Sequence, residues 1–567
     1  MRIAALLSLS LLTLVGCNRE VPIRADVIYT GGTIYTGAEE GQTVEAVAVG
    51  DGVIVFTGDM ETAIKTTKDG ARIVNIGDAV MFPGFTDSHV HLSGVGQREL
   101  TLNLDQVASI EELKSVLASY HDENPDLTQI YGRGWIETHW PEGRFPTAAD
   151  IDEVVPDIPV FLVRSDGHAA LANSAALEAA GVTTETEDPD GGAILKTEDG
   201  APNGMLIDNA IGLVSGLYAE PTTEDVKRAL EVGYDVYASR GWTGVHNVSV
   251  GQQQLDALAQ LALSGDIPLR TYNAVNADLI DAAIDRSPSG KRLTTRGVKI
   301  FMDGALGSRG ALLFDPYNDA PDTRGLILAD KDETLALYEK ALDGSVQIAI
   351  HAIGDRANKL ALDWMGEAFE TYQAEHPPEE TDGEEDEHVF DPRWRIEHSQ
   401  MVRPEEQSRF ADLAIIASMQ PSHAIGDLHF APARVGLNRL GRAYAWKSLM
   451  DQGVIIAGGS DAPVEVGDPI IEFYAASVRK DLKGFSAEGW HPEEALSRFE
   501  ALQLFTQNAA YASFQEDDLG TIEIGKKADF SIFDRDLMTI PDEEILLTKP
   551  VMTIVGGDVV WPPKAPE

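Results

Sequence analysis

The stretch "DETLALYEKALDG" at 332–344 runs almost directly into "VQIAIHAIGD" at 346–355, and this join decides how the chain is read. The first segment has the apolar spacing of an amphipathic helix, and the second is the short β-branched run of a buried strand that ends in a histidine. A helix feeding an apolar strand is half of a βα repeat, and such repeats build parallel sheets.

The same texture recurs on both sides. Candidate strands are "QIYGRGW" (129–135), "PVFLVRSD" (159–166), "TGVHNVSV" (243–250), "PLRTYN" (268–273), "GVKIFMDG" (297–304), "RWRIEHSQ" (393–400), "AIIASMQP" (414–421) and "GVIIAGGSDAP" (453–463). Helical segments such as "EDVKRALEVGYDVYASR" (224–240) fall between several of them. About eight βα units over roughly 430 residues suit a (β/α)8 TIM barrel, a doubly wound sheet being the alternative. The fold class is α/β.

Outside this region the pattern is all β. "ADVIYTGGTIYT" (25–36), "EAVAVGDGVIVFTGD" (45–59) and "ARIVNIGDAVMFPG" (71–84) are short runs broken by Gly, Asp and Asn turns. "GTIEIGKKADFSIFD" (520–534) and "PVMTIVGGDVVW" (550–561) have the same character. The expected organisation is a small β-sandwich made from 24–81 and 514–567, around a barrel at 82–513. A loop-rich insertion is expected at about 130–220, where "HWPEGRFPTAAD" and "TETEDPDGGAILKTEDGAPNG" lie.

Residues 1–17 read as a secretory signal: Arg2, an apolar run too short to span a bilayer well, then small residues before Cys17. "LVGC" is similar to a bacterial lipobox, so Cys17 is expected to carry a lipid anchor, and the chain to be an exported, membrane-anchored lipoprotein facing the periplasm or cell exterior. Cys17 is the single cysteine of the 567 residues, which excludes disulfides within the mature chain as well as thiolate catalysis. Lys and Arg number 44 against 92 Asp and Glu, a formal charge of -48 that disfavours nucleic acid and anionic lipid headgroups as partners. Membrane contact is therefore expected only through Cys17. The acidic run "AEHPPEETDGEEDEH" (374–388) reads as a solvated insertion.

Strand ends carry the chemistry. "FPGFTDSHVHLSG" (82–94) supplies His89 and His91, whose i, i+2 spacing puts both rings on one face of an extended strand. His351, His398 and Asp461 end three later strands, and Lys299 sits among Val298, Ile300 and Phe301 in a strand where an ammonium must be desolvated. Barrel active sites gather residues from the C-terminal ends of several strands, so the joint pattern points to a metal site.

"PGFTDSHVHL", "GVKIFMDGALGSRGA", "HAIGD", "RIEHSQ", "GSDAPV" and "GTIEIGKKADFSIFD" resemble the amidohydrolase superfamily, in the branch (amidohydrolase family 3) that includes N-substituted formamide deformylase. The resemblance implies a metal-dependent barrel holding one or two divalent ions, most simply Zn. It implies His89 and His91 as ligands of the more buried ion, Lys299 as an N6-carboxylated bridge, His351 and His398 as ligands of the second ion, and Asp461 as the last-strand aspartate. Neutral amine is the form that attacks carbon dioxide, and burial favours it; Lys299 paired with Asp303 or reaching the barrel mouth is the other possibility.

The expected reaction is cleavage of a C–N bond in a small amide-type substrate by metal-bound hydroxide, with Asp461 as general base and then acid. A mononuclear deaminase is the enzymatic alternative, though no clear His-x-x-Glu helix motif lies between Lys299 and Asp461; a non-catalytic exported metal- or solute-binding lipoprotein is the other. Towards substrate, His168 in "VRSDGHAALANSAAL" is a candidate oxyanion donor beside Arg164 and Asp166. Trp135, His246, Arg309 and His423 are further candidates for substrate contact, each with a plain packing or loop-holding role as the alternative.

Overall fold

The computed structural model describes residues 24–563 apart from 106, 138–139, 166, 168, 190–191, 219–220, 378–389 and 487–489. The expectations for Cys17, the signal and His168 therefore lie outside the described residues.

An eight-stranded parallel sheet forms the centre, in the order Phe85–Val90, Trp242–Val250, Arg270–Asn276, Leu293–Phe301, Gln347–Ala352, Arg395–His398, Ile416–Met419 and Ile456–Gly458. These are the first to eighth barrel strands below. Their residues are almost wholly buried, as expected of strands covered by helices on one side and filled by side chains on the other. The helix expected at 332–344 spans Lys331–Asp343, capped by the Asp330 carboxylate on the amides of Asp332 and Glu333. Helix Thr223–Arg240 starts with a Thr222–Asp225 capping box and ends at Gly241, whose φ of 102° suits a residue without a Cβ.

The first and eighth strands share no ladder among the described residues. They are joined instead at their upper ends. The Asp461 amide donates to the His89 carbonyl at 2.7 Å, and the His91 amide donates to the Ala462 carbonyl at 2.9 Å. Asp87, fully buried, accepts from the Ser460 amide at 2.9 Å, the Ser460 hydroxyl at 2.6 Å and the Tyr237 hydroxyl at 3.0 Å.

Both ends of the chain contribute to a second sheet. Val80–Pro83 pairs with Ala25–Tyr35 on one side and antiparallel with Phe530–Phe533 on the other, with Met81 opposite Ile532. Ser531 fastens this sheet to the barrel, accepting from the Phe85 amide at 2.9 Å and donating to the Gly241 carbonyl at 2.6 Å.

The inserted region differs from its expected form. It begins earlier than 130, and it is a six-stranded mixed sheet, from Leu102–Asn103 through Ile130–Trp135, Val160–Arg164, Ala169–Ala172 and Pro202–Asp208 to Gly192–Lys196 at the far edge. "QIYGRGW" and "PVFLVRSD" are neighbours in this sheet rather than barrel strands. Parallel pairing at one edge gives these strands the continuous apolar texture of barrel strands, so composition alone does not separate them. The insertion has its own core, built on Leu113, Leu117, Trp135, Trp140 and Leu162. It reaches the barrel mouth where the Ser165 hydroxyl donates to the Val464 carbonyl at 3.0 Å.

Candidate metal centre

His89 and His91 close the first barrel strand and converge as their spacing requires. Their Nε2 atoms lie 3.4 and 3.2 Å from Asp461 Oδ1. A regular strand would send Glu397 and His398 to opposite faces. His398 and Ser399 adopt left-handed backbone, φ 73° and 40°, which ends the alternation, and the His398 ring lies 5.0 Å from that of His89. Asp461 also has positive φ, 60°. Such conformations persist in non-glycine residues where the surroundings hold them, and they concentrate at functional sites.

Among the described residues, two groups have ligand atoms within 4.8 Å of one another: His89, His91 and Asp461, and His398, His423 and Asp461. Asp461 belongs to both, its Oδ2 lying 3.7 Å from His423 Nε2. The His351 ring stands 4.4 Å from that of His398, and Lys299 Nζ is 3.5 Å from His89 Nε2. The barrel thus brings together five of the six residues read as ligands, His89, His91, Lys299, His398 and Asp461, with His351 beside them, and adds His423.

The outer hydrogen bonds leave the inner atoms free. His89 Nδ1 is 2.5 Å from Glu397 Oε2, and His398 Nδ1 is 2.8 Å from Gln420 Oε1, so both Nε2 atoms face the centre. Asp461 Oδ1 and His423 Nε2 are buried without a well-formed hydrogen bond among the described residues. Imidazoles oriented from behind around an orphaned carboxylate oxygen fit a divalent cation, Zn²⁺ among them.

Electrostatics agree. Burial, with Lys299 nearby, pushes His89 down to about 4 and His351 to about 3, and burial holds His398 well below the usual range. All three are neutral at pH 7, the state in which imidazole ligates. Burial brings Lys299 down to about 8, so roughly a tenth of its amine is unprotonated at neutral pH and about half at pH 8. Asp303 is not its partner: it accepts from the amides of Leu312, Ile353 and Gly354 at 2.7–3.0 Å.

Several residues that the sequence reading missed support this centre. Burial opposes the Glu397 carboxylate, but Arg395 and His89 hold it well below the ordinary range. The Arg395 guanidinium binds Glu397, the Ser88 carbonyl, Ser418 Oγ at 3.1 Å and His246 Nδ1 at 2.9 Å. The available signal was two opposite charges at i, i+2 inside the apolar strand "RWRIEH".

The candidates for substrate contact divide. His423 lies at the centre. His246 is buried beneath it against Arg395 and Tyr272. Trp135 does not line the site: it is fully buried in the inserted sheet, where its indole donates to the Leu162 carbonyl at 2.9 Å. Arg164 Nε holds Glu137 at 2.8 Å, and Arg309 is forked onto Asp319 at 2.9 and 3.2 Å, holding a loop.

A family model described as "Amidohydrolase family" matches residues 72–561. The chain belongs to the amidohydrolase family. It is 34% identical over 542 residues to a Bacillus subtilis (strain 168) protein named "Putative amidohydrolase YtcJ", covering 94% of this chain and 99% of that one. N-substituted formamide deformylase of Arthrobacter pascens is 26% identical over 94% of this chain and 97% of its own. The crystal structure of an uncharacterized metal-dependent hydrolase from Pyrococcus horikoshii OT3 superposes with a TM-score of 0.73 at 30% identity, covering 91% of this chain and 99% of that chain. The amidohydrolase described here is accordingly a metal-dependent hydrolase with a TIM barrel.

Proposed function

We propose that this amidohydrolase cleaves the C–N bond of a small amide-type substrate, with Asp461 carrying the proton. The observation that carries the reading is the position of that carboxylate, 3.2 Å from His91 Nε2 through one oxygen and 3.7 Å from His423 Nε2 through the other. His89, His91, His351 and His398 would hold one or two divalent ions, Zn²⁺ by the chemistry of the donor set, with Lys299 between them. When bound, such an ion polarises a carbonyl and brings the pKa of water towards neutrality.

Asp461 takes the proton from the attacking water and returns it to the departing nitrogen, a base that becomes an acid within one turnover. Glu397 fixes the His89 tautomer, and Arg395 fixes Glu397. The unprotonated Lys299 amine adds to carbon dioxide, forming an N–C bond and releasing one proton to solvent; the carbamate so made is an anionic oxygen donor able to bridge two cations. His168 remains the proposed oxyanion donor.

The proposal extends to location. A signal ending at Cys17 would export the chain and tether it by lipid, and no helix among the described residues is long and apolar enough to cross a membrane.

The test is a screen of the zinc-reconstituted protein against amides, esters and aryl amines, with Asp461→Asn as control. Amide turnover that falls about 10²–10⁴-fold in Asp461→Asn at unchanged metal content supports the reading. Ammonia release from aryl amines alone would make the protein a deaminase, and metal uptake with no turnover would make it a binding module.

A further inference from the structure

The mouth of the barrel is chemically lopsided. Beside the eighth strand stand Asp461, His423 and Glu465, whose Oε1 lies 3.7 Å from His423 Nε2. Across the barrel, the fourth strand ends in Phe301. It is two residues beyond Lys299 and so on the same strand face, and it pairs in register with His351. Its ring centroid is 5.4 Å from that of His351 and 5.0 Å from Lys299 Nζ, yet the residue is 43% exposed.

An apolar strap runs alongside. Leu326, Ile327 and Leu328 are consecutive and all more than half exposed. The strap is pinned, because the Leu328 amide donates to the Met302 carbonyl at 2.9 Å and the Leu326 amide to the Gly310 carbonyl at 3.0 Å. Gly325, at φ +83°, lies so close that a Cβ there would stand 2.0 Å from the Ala311 carbonyl oxygen. A fixed, exposed apolar lip beside a metal centre is surface from which a ligand displaces water favourably.

We propose that Phe301, with the 326–328 strap, is the specificity determinant for an apolar acyl group on the substrate. This rests on the reading of Asp461 above. The nitrogen that receives its proton must lie on the eighth-strand side, so the group on the carbonyl carbon extends towards the fourth strand and Phe301. The occupant is the hydrocarbon part of a neutral acyl chain or arylacetyl group, because Phe301, Leu326, Ile327 and Leu328 present apolar side chains to it.

Binding separates this proposal from the hydrolase reading. Acetohydroxamic, butyrohydroxamic and phenylacetohydroxamic acids, whose single variable group stands for the acyl side, are titrated into zinc-loaded protein by calorimetry. Affinity should rise by about two- to fourfold for each methylene that reaches the lip. Phe301→Ala should reduce the gain from acetyl to phenylacetyl from about tenfold or more to less than about threefold. Leu263→Ser, at a distant exposed leucine, should leave the gain intact.

The same dependence should hold in kcat/KM for long-acyl N-methylamides and be absent for acetamides lengthened on nitrogen. If the hydroxamates show it while no amide is turned over, the lip stands and the hydrolase reading fails. An equal gain in Phe301→Ala, a gain that follows the nitrogen substituent, no hydroxamate binding at all, or a dimer that dissociates on substituting Phe301 or Leu328 would overturn the proposal.

Discussion

His89 Nδ1 and Glu397 Oε2 stand 2.5 Å apart with both side chains fully buried, so one ring edge is committed to the protein and the other to the centre. Glu397→Gln keeps the shape and removes the charge. Metal affinity should fall about 10–100-fold, as losing an outer partner of a metal-binding histidine typically does. The Arg395 guanidinium would also lose its counter-charge, and breaking a buried pair costs about 3–5 kcal/mol. Equilibrium dialysis against a metal buffer and a urea titration check the two outcomes separately.

Lys299 sets a pH dependence in metal-free protein kept in bicarbonate-free buffer. Its ordinary pKa of 10.5 in the unfolded chain falls to about 8 in the fold. Between these values the unfolded state binds more protons, so stability rises with pH there. Below pH 8 the burial penalty is fully present. Wild type should therefore trail Lys299→Met by roughly 3 kcal/mol below pH 8, the gap closing towards pH 10.5. Urea midpoints measured across that range supply the comparison.

His351 and His423 both flank His398, at ring distances of 4.4 and 5.9 Å, but on different supports. His351 is carried by a barrel strand in register with its neighbours, while His423 sits in the short helix Pro421–Asp427 beside Glu465. His351→Ala is expected to lower the bound metal per chain, whereas His423→Gln should retain metal and lower kcat. Elemental analysis paired with steady-state kinetics distinguishes them.

Trp135→Ala should act through folding. The indole is fully buried among the residues of the inserted sheet, and removing it costs about 3–5 kcal/mol in a core that cannot collapse around the gap. Thermal melts should shift strongly while KM for any substrate of the folded fraction changes little.

The barrel was legible because apolar strands ending in His89, His91, His351, His398 and Asp461 announce themselves. The inserted sheet was legible only in part: its first strand is two residues long, Leu102–Asn103, too short to show a period. Glu397 escaped notice because a carboxylate next to a histidine in sequence should face the other way, and it is the left-handed turn at His398 that brings both inward. His423 could be suspected from its place after a strand, but its shared carboxylate with His398 is a tertiary fact.

The meeting of the first and eighth strands has a mechanical side. The staves of this barrel are knit edge to edge everywhere except at one slit, and the slit is laced at its rim by Asp87 with Ser460 and by the amides of His91 and Asp461. His89 and His91 stand on one bank and Asp461 on the other. A cation held as proposed by both banks would therefore also be a rivet, and chelation should be felt first as a gaping of this slit, with the terminal staves fraying ahead of the rest of the wall.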